Sequence, residues 1–438
     1  MQLRQQKKAF QLVAISIFIF IVTAVGCKAE ESHLHSGDIS SVAITGIINP
    51  VAAEYIHKSL ERASSAKAGA LLIELDTPGG LDTSMRSIVK DIMSSRIPVI
   101  VYVAPSGARA ASAGVFIALS AHIAAMAPGT NIGAAHPVSI GEKMDKVMAE
   151  KATNDAAAYI KSIAEERNRN SQWAEDAVRK SVSITEIDAL KMHVIDLVAK
   201  DTEALLKEID GRELMIAGAS IKVKTASVRV IKEPMSLRLK ILNLISDPSF
   251  AYILMLLGFY GLFFELTNPG TLVPGVIGVI SLVLAFYAFQ TIPVNYAGLL
   301  LIVIGIVLFL LEVKVASYGL LTVGGIVSIT LGSLMLFESP LPFLRVSLAI
   351  ILPVAMVTAV FFILTFRLAY KAHKREHATG RESLVGMEGL AKSDIGPSGG
   401  LAQVHGEIWS AFSEEGITKN SIIVVEDVRG LKLLVKKR

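Results

Sequence analysis

A single cysteine, Cys27, stands in a chain of 438 residues. That excludes an intrachain disulfide and a thiolate metal site. No His-Glu-x-x-His pair and no phosphate-binding P-loop is present, so neither a metal nor a nucleotide is implied, and no cofactor is expected. Charge is scarce as well. Charged residues make up 19% of the chain and the net balance is +4, too small to argue for nucleic acid as a partner. Aromatics, at 6%, leave little for base stacking. What fills the space is apolar: 52% of residues are hydrophobic, an excess that places much of the chain in lipid.

The first 27 residues read as an export or lipoprotein signal. Arg4, Lys7 and Lys8 form a basic start, residues 9–25 are apolar, and Gly26-Cys27 precedes a polar stretch. Three outcomes are compatible with this pattern: lipidation at Cys27, ordinary cleavage nearby, or an uncleaved anchor. All three carry the chain from about residue 30 out of the cytoplasm.

Residues 30–235 read as one α/β domain. Residues 39–48, 68–75, 99–103 and 122–127 are strand candidates, and residues 51–66 and the stretch from Asp82 to Ser95 have helical spacing, with Asp82 as a candidate cap. Strands and helices alternating at this length argue for a mostly parallel sheet with crossover helices. Within it, residues 104–118 read Ala-Pro-Ser-Gly-Ala-Arg-Ala-Ala-Ser-Ala-Gly-Val-Phe-Ile-Ala. Ser112 falls where a strand hands over to a helix, ringed by Ala and Gly. A helix N-terminus offers free N–H groups to a developing negative charge, which is what a nucleophilic serine needs. A capping serine in a tight crossover has the same sequence signature.

One strand earlier, Gly79-Gly80 lies at the C-terminal end of residues 68–75. In parallel sheets such ends gather on one edge. The N–H groups of Gly80 and Ala113 are therefore candidates for an oxyanion hole. For a base there are two candidates. His136 sits in a Gly/Pro-rich loop about two dozen residues after Ser112. Lys151 opens the helical run 152–167, where a cation is unfavourable and a buried lysine can become a neutral base. Spacing does not choose between them.

Residues 74–80 (Glu-Leu-Asp-Thr-Pro-Gly-Gly), 110–114 (Ala-Ala-Ser-Ala-Gly) and 126–137 (Met-Ala-Pro-Gly-Thr-Asn-Ile-Gly-Ala-Ala-His-Pro) together resemble the membrane-bound serine proteases of the NfeD family. The resemblance runs through the whole chain in order. It implies a Clp-protease/crotonase-like domain, a Ser–Lys dyad with Ser112 as nucleophile and Lys151 as base, and oxyanion roles for Gly80 and Ala113. Lys151 is placed by Tyr159-Ile-Lys-Ser162, which resembles the family's Tyr-Ile-Lys-Ser segment. Soluble Clp proteases use a histidine near the position of His136, which keeps that residue as the alternative base.

Residues 212–228 alternate as a hairpin, and 233–240 form a charged junction before the membrane. A transmembrane domain spans 245–366, with about five helices at 249–267, 271–290, 296–313, 318–337 and 345–366. Glu265 and Glu312 fall at span ends and read as interfacial. The export signal and the cluster Arg367, Lys371, Lys374 and Arg375 require an odd number of spans, which five satisfies. Residues 381–438 hold about five short strands with glycine corners, an OB-like barrel. Trp409 and Phe412 are expected in its core.

The expected protein is a multi-pass cell-membrane serine endopeptidase with an extracytoplasmic catalytic domain and a cytoplasmic C-terminal domain. Its expected partners are a protein or peptide substrate, a stomatin-like membrane protein, membrane lipid and a second copy of the chain, with no nucleic acid. The competing expectation is a non-enzymatic membrane scaffold with a degenerate protease fold.

Overall fold

The computed structural model describes residues 34–438 apart from 139–144, 227, 268, 271, 291–293, 316, 318, 338–344 and 374–383. The expected signal, with Cys27, and the cluster residues Lys374 and Arg375 lie outside the described residues. The chain divides into two compact units near residue 355.

The first unit is built on a six-stranded sheet in the order β11 (Val230–Lys232), β1 (Ile39–Thr45), β2 (Ala70–Asp76), β3 (Val99–Val103), β5 (Ile123–Met126), β8 (Leu197–Val198). Every pairing in it is parallel. The near-continuous apolar runs of β2 and β3 follow from this, because both faces are covered. Leu71, Ile73 and Leu75 alternate with Ala70 and Leu72, and the two sets join different core clusters. The first cluster takes α1 (Pro50–Ser65) and α2 (Asp82–Met93), the second takes Leu205, Leu206 and Ile209 of α7 (Thr202–Ile209). Each fully buried Leu or Ile contributes about 1.5–3 kcal/mol. Helix α1 starts where Asn49 Oδ1 accepts the Ala52 N–H (2.8 Å) and Pro50 presets the first turn.

Four short strands escape the sequence pattern. β11 joins the main sheet, and β4 (Arg109–Ala111), β6 (Asn131–Gly133) and β7 (Ser183–Thr185) make a small separate sheet. At three residues each, they carry no periodicity to read. The expected hairpin is present as β9 (Glu213–Ile216) and β10 (Ala219–Lys222). At the next helix the cap differs from expectation: Leu81 is the N-cap of α2 and Asp82 is its first residue, paired with Arg86 (2.9 Å).

After α8 (Leu237–Ile245) come the apolar helices α9 (Pro248–Thr267), α10 (Val273–Phe289), α11 (Tyr296–Lys314), α12 (Leu320–Leu336) and α13 (Leu348–His373). Among the described residues, α9, with 20 residues, is the one helix that is long and apolar enough by itself to cross a bilayer. α9 pairs with α10 and α11 with α12 through glycines. A Cβ on Gly261 would lie 2.4 Å from the Pro274 carbonyl oxygen, and one on Gly332 2.6 Å from the Gly298 carbonyl oxygen. Small residues here let the helix backbones touch. The Glu312 carboxylate accepts from Ser317 Oγ (2.6 Å) and from the Gly319 (3.1 Å) and Thr322 (3.0 Å) N–H groups. It therefore caps the start of α12 at the end of a span.

The second unit ends in a closed five-stranded barrel, ordered β12 (Glu388–Ala391), β13 (Gly400–Val404), β14 (Glu407–Phe412), β16 (Lys432–Lys437), β15 (Ile422–Arg429). Ala402, Val404, Ile423, Val425, Leu433 and Val435 fill it, with Trp409 packed half-buried against them.

Candidate active site

β2 and β3 end on the same edge, and both candidate turns come next there. The Thr77-Pro-Gly-Gly80 turn is held from two sides. Ile48 pairs with Gly80, and Thr77 with Ala110. Thr77 Oγ1 accepts the Gly79 N–H (3.0 Å) and donates to the Gly79 carbonyl (3.1 Å). Gly79 has φ +122°, which favours glycine, and a Cβ on it would lie 2.7 Å from Ser112 Cβ and 3.1 Å from its Oγ. In return, a Cβ on Gly114 would lie 2.6 Å from Thr77 Cγ2. The two motifs interlock through their glycines.

Ser112 joins β4 to α3 (Ala113–Ser120) with φ 52° and ψ −113°, a backbone that side-chain-bearing residues rarely adopt. Its N–H donates to the Gly133 carbonyl (3.1 Å). A capping serine would accept an N–H from the first helical turn, and Ser112 does not. Its half-buried hydroxyl has no hydrogen-bond partner among the described residues.

Two backbone donors at this edge are also unpaired among the described residues. Gly80 pairs with Ile48 through its neighbours: Ile48 N–H donates to Gly79 (2.9 Å) and Leu81 N–H to Ile48 (2.8 Å). That geometry turns the Gly80 N–H away from Ile48. Ala113 is the first residue of α3, so its N–H is one of the orphan donors of a helix start. Helix α3 adds its positive end at Ser112.

The far end of α3 is held by two arginines that no sequence motif marks. Arg169 Nη1 donates to the carbonyls of Leu119 (2.7 Å) and Ala121 (2.9 Å), and Nη2 pairs with Asp196 (2.6 Å). Arg167 Nε donates to Ser120 (2.8 Å). Cations at a helix C-terminus complement its dipole. Beside them, burial first, then Arg167 and Arg169, pushes the His122 imidazole down to about 3. Nδ1 of His122 accepts the Val99 N–H (3.1 Å).

The two candidate bases are placed differently. His136 Nδ1 donates to the Val178 carbonyl (2.9 Å), which ties its loop to α5 (Ser171–Arg179). Lys151 does not open its helix. Asp145 accepts the Met148 N–H (2.8 Å), so α4 (Lys146–Glu166) begins five residues earlier and Lys151 stands in its second turn, exposed. Neither base hydrogen-bonds to Ser112 among the described residues.

Lys151, Asp155 and Tyr159 succeed one another at four-residue spacing along one slowly turning stripe of α4. Asp155 pairs with Arg86 of α2, whose guanidinium lies 4.5 Å from the Tyr159 ring centre. Tyr159 in turn stacks on Phe116 of α3, at 6.0 Å between centroids. Burial raises the Tyr159 phenol above its usual range. Through these contacts the helix after Gly80, the helix after Ser112 and the helix that carries Lys151 are locked together. The contacts of Arg86 and Phe116 with α4 carry no signal in a local motif, because Asp155 and Tyr159 lie 43 or more residues away in the chain.

Residues 38–210 match the NfeD1b N-terminal domain, residues 249–368 the NfeD integral membrane domain, and residues 381–437 the NfeD-like C-terminal, partner-binding domain. The chain is 36% identical to the membrane-bound protease PH1510 of Pyrococcus horikoshii, over 97% of each chain. It is 29% identical to the membrane protein NfeD1b of Bacillus subtilis, over 99% of each. Among solved structures it is similar to a membrane protease specific for a stomatin homolog from Pyrococcus horikoshii. That likeness has 39% identity and a TM-score of 0.43, and covers 48% of this chain and 100% of that one.

Proposed function

This chain belongs to the NfeD family of membrane proteins, and on that premise we propose that it is a membrane-anchored serine endopeptidase with Ser112 as nucleophile. The observation that carries the reading is the Ser112 hydroxyl itself: uncapped, half-buried, on a strained turn at a helix start. Similarity across 97% of both chains to a protein named a membrane-bound protease supports it.

In this reading Ser112 Oγ attacks a peptide carbonyl carbon while neutral Lys151 takes the hydroxyl proton. The C=O bond becomes a tetrahedral oxyanion, held by the N–H groups of Gly80 and Ala113. One such donor is worth about 3–4 kcal/mol in the transition state. Collapse breaks the C–N bond, and Lys151 returns the proton to the leaving amine. Water, deprotonated by Lys151, then hydrolyses the ester and restores Ser112. Lys151 works as a base only when neutral, so a bound substrate segment must desolvate it.

The substrate class is a hydrophobic segment of a membrane protein, and a stomatin-like protein is the proposed partner. The tether close to the bilayer and the family resemblance support both. The catalytic domain is proposed to lie outside the cytoplasm and the barrel inside, with the barrel as the docking module and a second copy as assembly partner. A non-enzymatic scaffold is the second reading, favoured by the exposed position of Lys151.

The test uses the full-length protein in lipid nanodiscs with a hydrophobic peptide substrate. Ser112→Ala and Lys151→Ala are expected to abolish turnover, and His136→Ala to spare it. Loss with His136→Ala alone would move the base to the histidine. Equal turnover in wild type and Ser112→Ala would leave the scaffold.

A further inference from the structure

The segment that joins the catalytic domain to the membrane is a helix with two apolar faces. On one face of α8, Leu239 is 3% exposed and belongs to the core cluster of the catalytic domain, with Leu242 and Met235 packed against the same cluster. Polar ties strengthen that side. Asn49 Nδ2 donates to Asn243 Oδ1 (3.0 Å), and Arg238 pairs with Glu54 of α1 (2.9 Å).

The opposite face is open over most of its length and closes only at its end, where Ile245 is buried. Leu237, Ile241 and Leu244 are 44%, 44% and 48% exposed. At spacings of four and three residues they share one side of the helix, about 140–160° from Leu239 at about 100° per residue. Exposed Lys240 and Arg238 flank the stripe on either side. An apolar stripe with basic flanks, on a nine-residue helix too short to cross the bilayer, is the pattern of helices that lie in the headgroup layer.

The occupant of the stripe is set by the chain immediately beyond α8. Only Ser246 and Asp247 separate α8 from α9, the first apolar helix of the integral membrane domain. Asp247 Oδ1 accepts the Ser249 N–H (2.8 Å), so the corner is a fixed turn and not a loose linker. Past that corner, Phe250, Ile253 and Leu257 are exposed on α9 at 43%, 42% and 46%. Exposed apolar residues thus stand both on α8 and on the span that directly follows it.

We infer that α8 lies in the headgroup layer of the bilayer, with Leu237, Ile241 and Leu244 in the acyl boundary and Leu239 against the catalytic domain. The occupant of the stripe is lipid. The helix acts as a plate between domain and membrane and fixes the height at which the candidate active site stands above the bilayer. It also reaches that site through the backbone, since Asn49 is the neighbour of Ile48, which pairs with Gly80. The position of α8 does not depend on the chemistry at Ser112.

The test is a nitroxide scan of the full-length chain in phosphatidylcholine/phosphatidylglycerol vesicles, with Cys27→Ser as background. Labels at Leu237→Cys, Leu239→Cys, Ile241→Cys and Leu244→Cys are compared with Ser220→Cys in the exposed hairpin. Collision with oxygen is expected to exceed collision with a water-soluble nickel chelate at 237, 241 and 244, and the order to reverse at 220. Nickel-favouring labels at the three stripe positions would put that face in water. Exclusion of both agents there would put a second copy or another protein on it. Either result overturns the proposal. If a label perturbs the fold, Leu244→Trp in vesicles of bromine-bearing lipid gives the same reading. Strongest quenching is expected from bromines near the headgroup, and no quenching contradicts the proposal.

Discussion

Gly79 leaves no room for a side chain beside Ser112. A Cβ built there would lie 2.7 Å from Ser112 Cβ, and the serine answers with an unusual backbone of its own, φ 52°. Position 79 thus holds the candidate nucleophile in its turn as directly as the turn residues do. Gly79→Ala adds that methyl at φ +122° and must displace Ser112. Turnover is expected to fall by about 10²–10³, the size seen when an oxyanion contact is lost. The check is peptide turnover against circular dichroism of the same preparation, which must show the fold retained.

Arg169 is the second position outside the motifs with a sharp expectation. It satisfies two carbonyls at the end of α3 and the Asp196 carboxylate while its side chain is 3% exposed. Arg169→Met leaves all three without their partner. Removing one member of a fully buried pair costs about 3–5 kcal/mol, and the 32% exposure of Asp196 places this loss at or below the low end of that range. A clear drop in the thermal unfolding midpoint of the detergent-solubilised full chain is expected, whereas an unchanged midpoint would mean that α3 is held without it.

The His122 imidazole sets a pH dependence. Its pKa is about 3 when folded, against 6.5 in the reference state. Between those values the unfolded chain binds more protons, so stability is lost as pH falls below about 6.5. The loss is on the order of a few kcal/mol when complete. Glu54 is also held below its reference value of 4.5, chiefly by Lys58, so its contribution is lost only at lower pH. His122→Asn keeps an acceptor for the Val99 N–H and removes the titration. It should flatten the unfolding midpoint between pH 6.5 and 4.5; a slope equal to that of the wild type would assign the dependence elsewhere.

In the membrane domain, Glu312 holds three donors at the start of α12. Glu312→Ala is expected to destabilise the α11–α12 pair by about 1–2 kcal/mol, the cost of a lost helix cap. Glu312→Gln keeps an acceptor oxygen and should cost less. Unfolding midpoints of the two variants in detergent separate a capping role from an equal loss in both.

These positions also mark what could be read in the chain beforehand. Ser112 and Gly80 stood out because each sits where an apolar run stops at small residues, a local signal. The parallel sheet was legible in the alternation, since β2 and β3 are buried on both faces. The start of α4 was misplaced because residues 140–150 mix lysines, glutamates and methionines without a stripe, and the cap at Asp145 outweighs that pattern. Arg167 and Arg169 carried no local signal at all. Their partners at 119–121 lie 47–50 residues away, and only the fold brings them to the end of α3.

The central claim is that Ser112 Oγ is a nucleophile. The most direct measurement is covalent capture: the full-length protein in nanodiscs is treated with a fluorophosphonate, digested and mapped by mass spectrometry. The account predicts one phosphonate adduct on Ser112, absent from Ser112→Ala and reduced when Lys151→Ala removes the base. No adduct at Ser112 in a preparation that cleaves peptide, or the same labelling in Ser112→Ala, would contradict it.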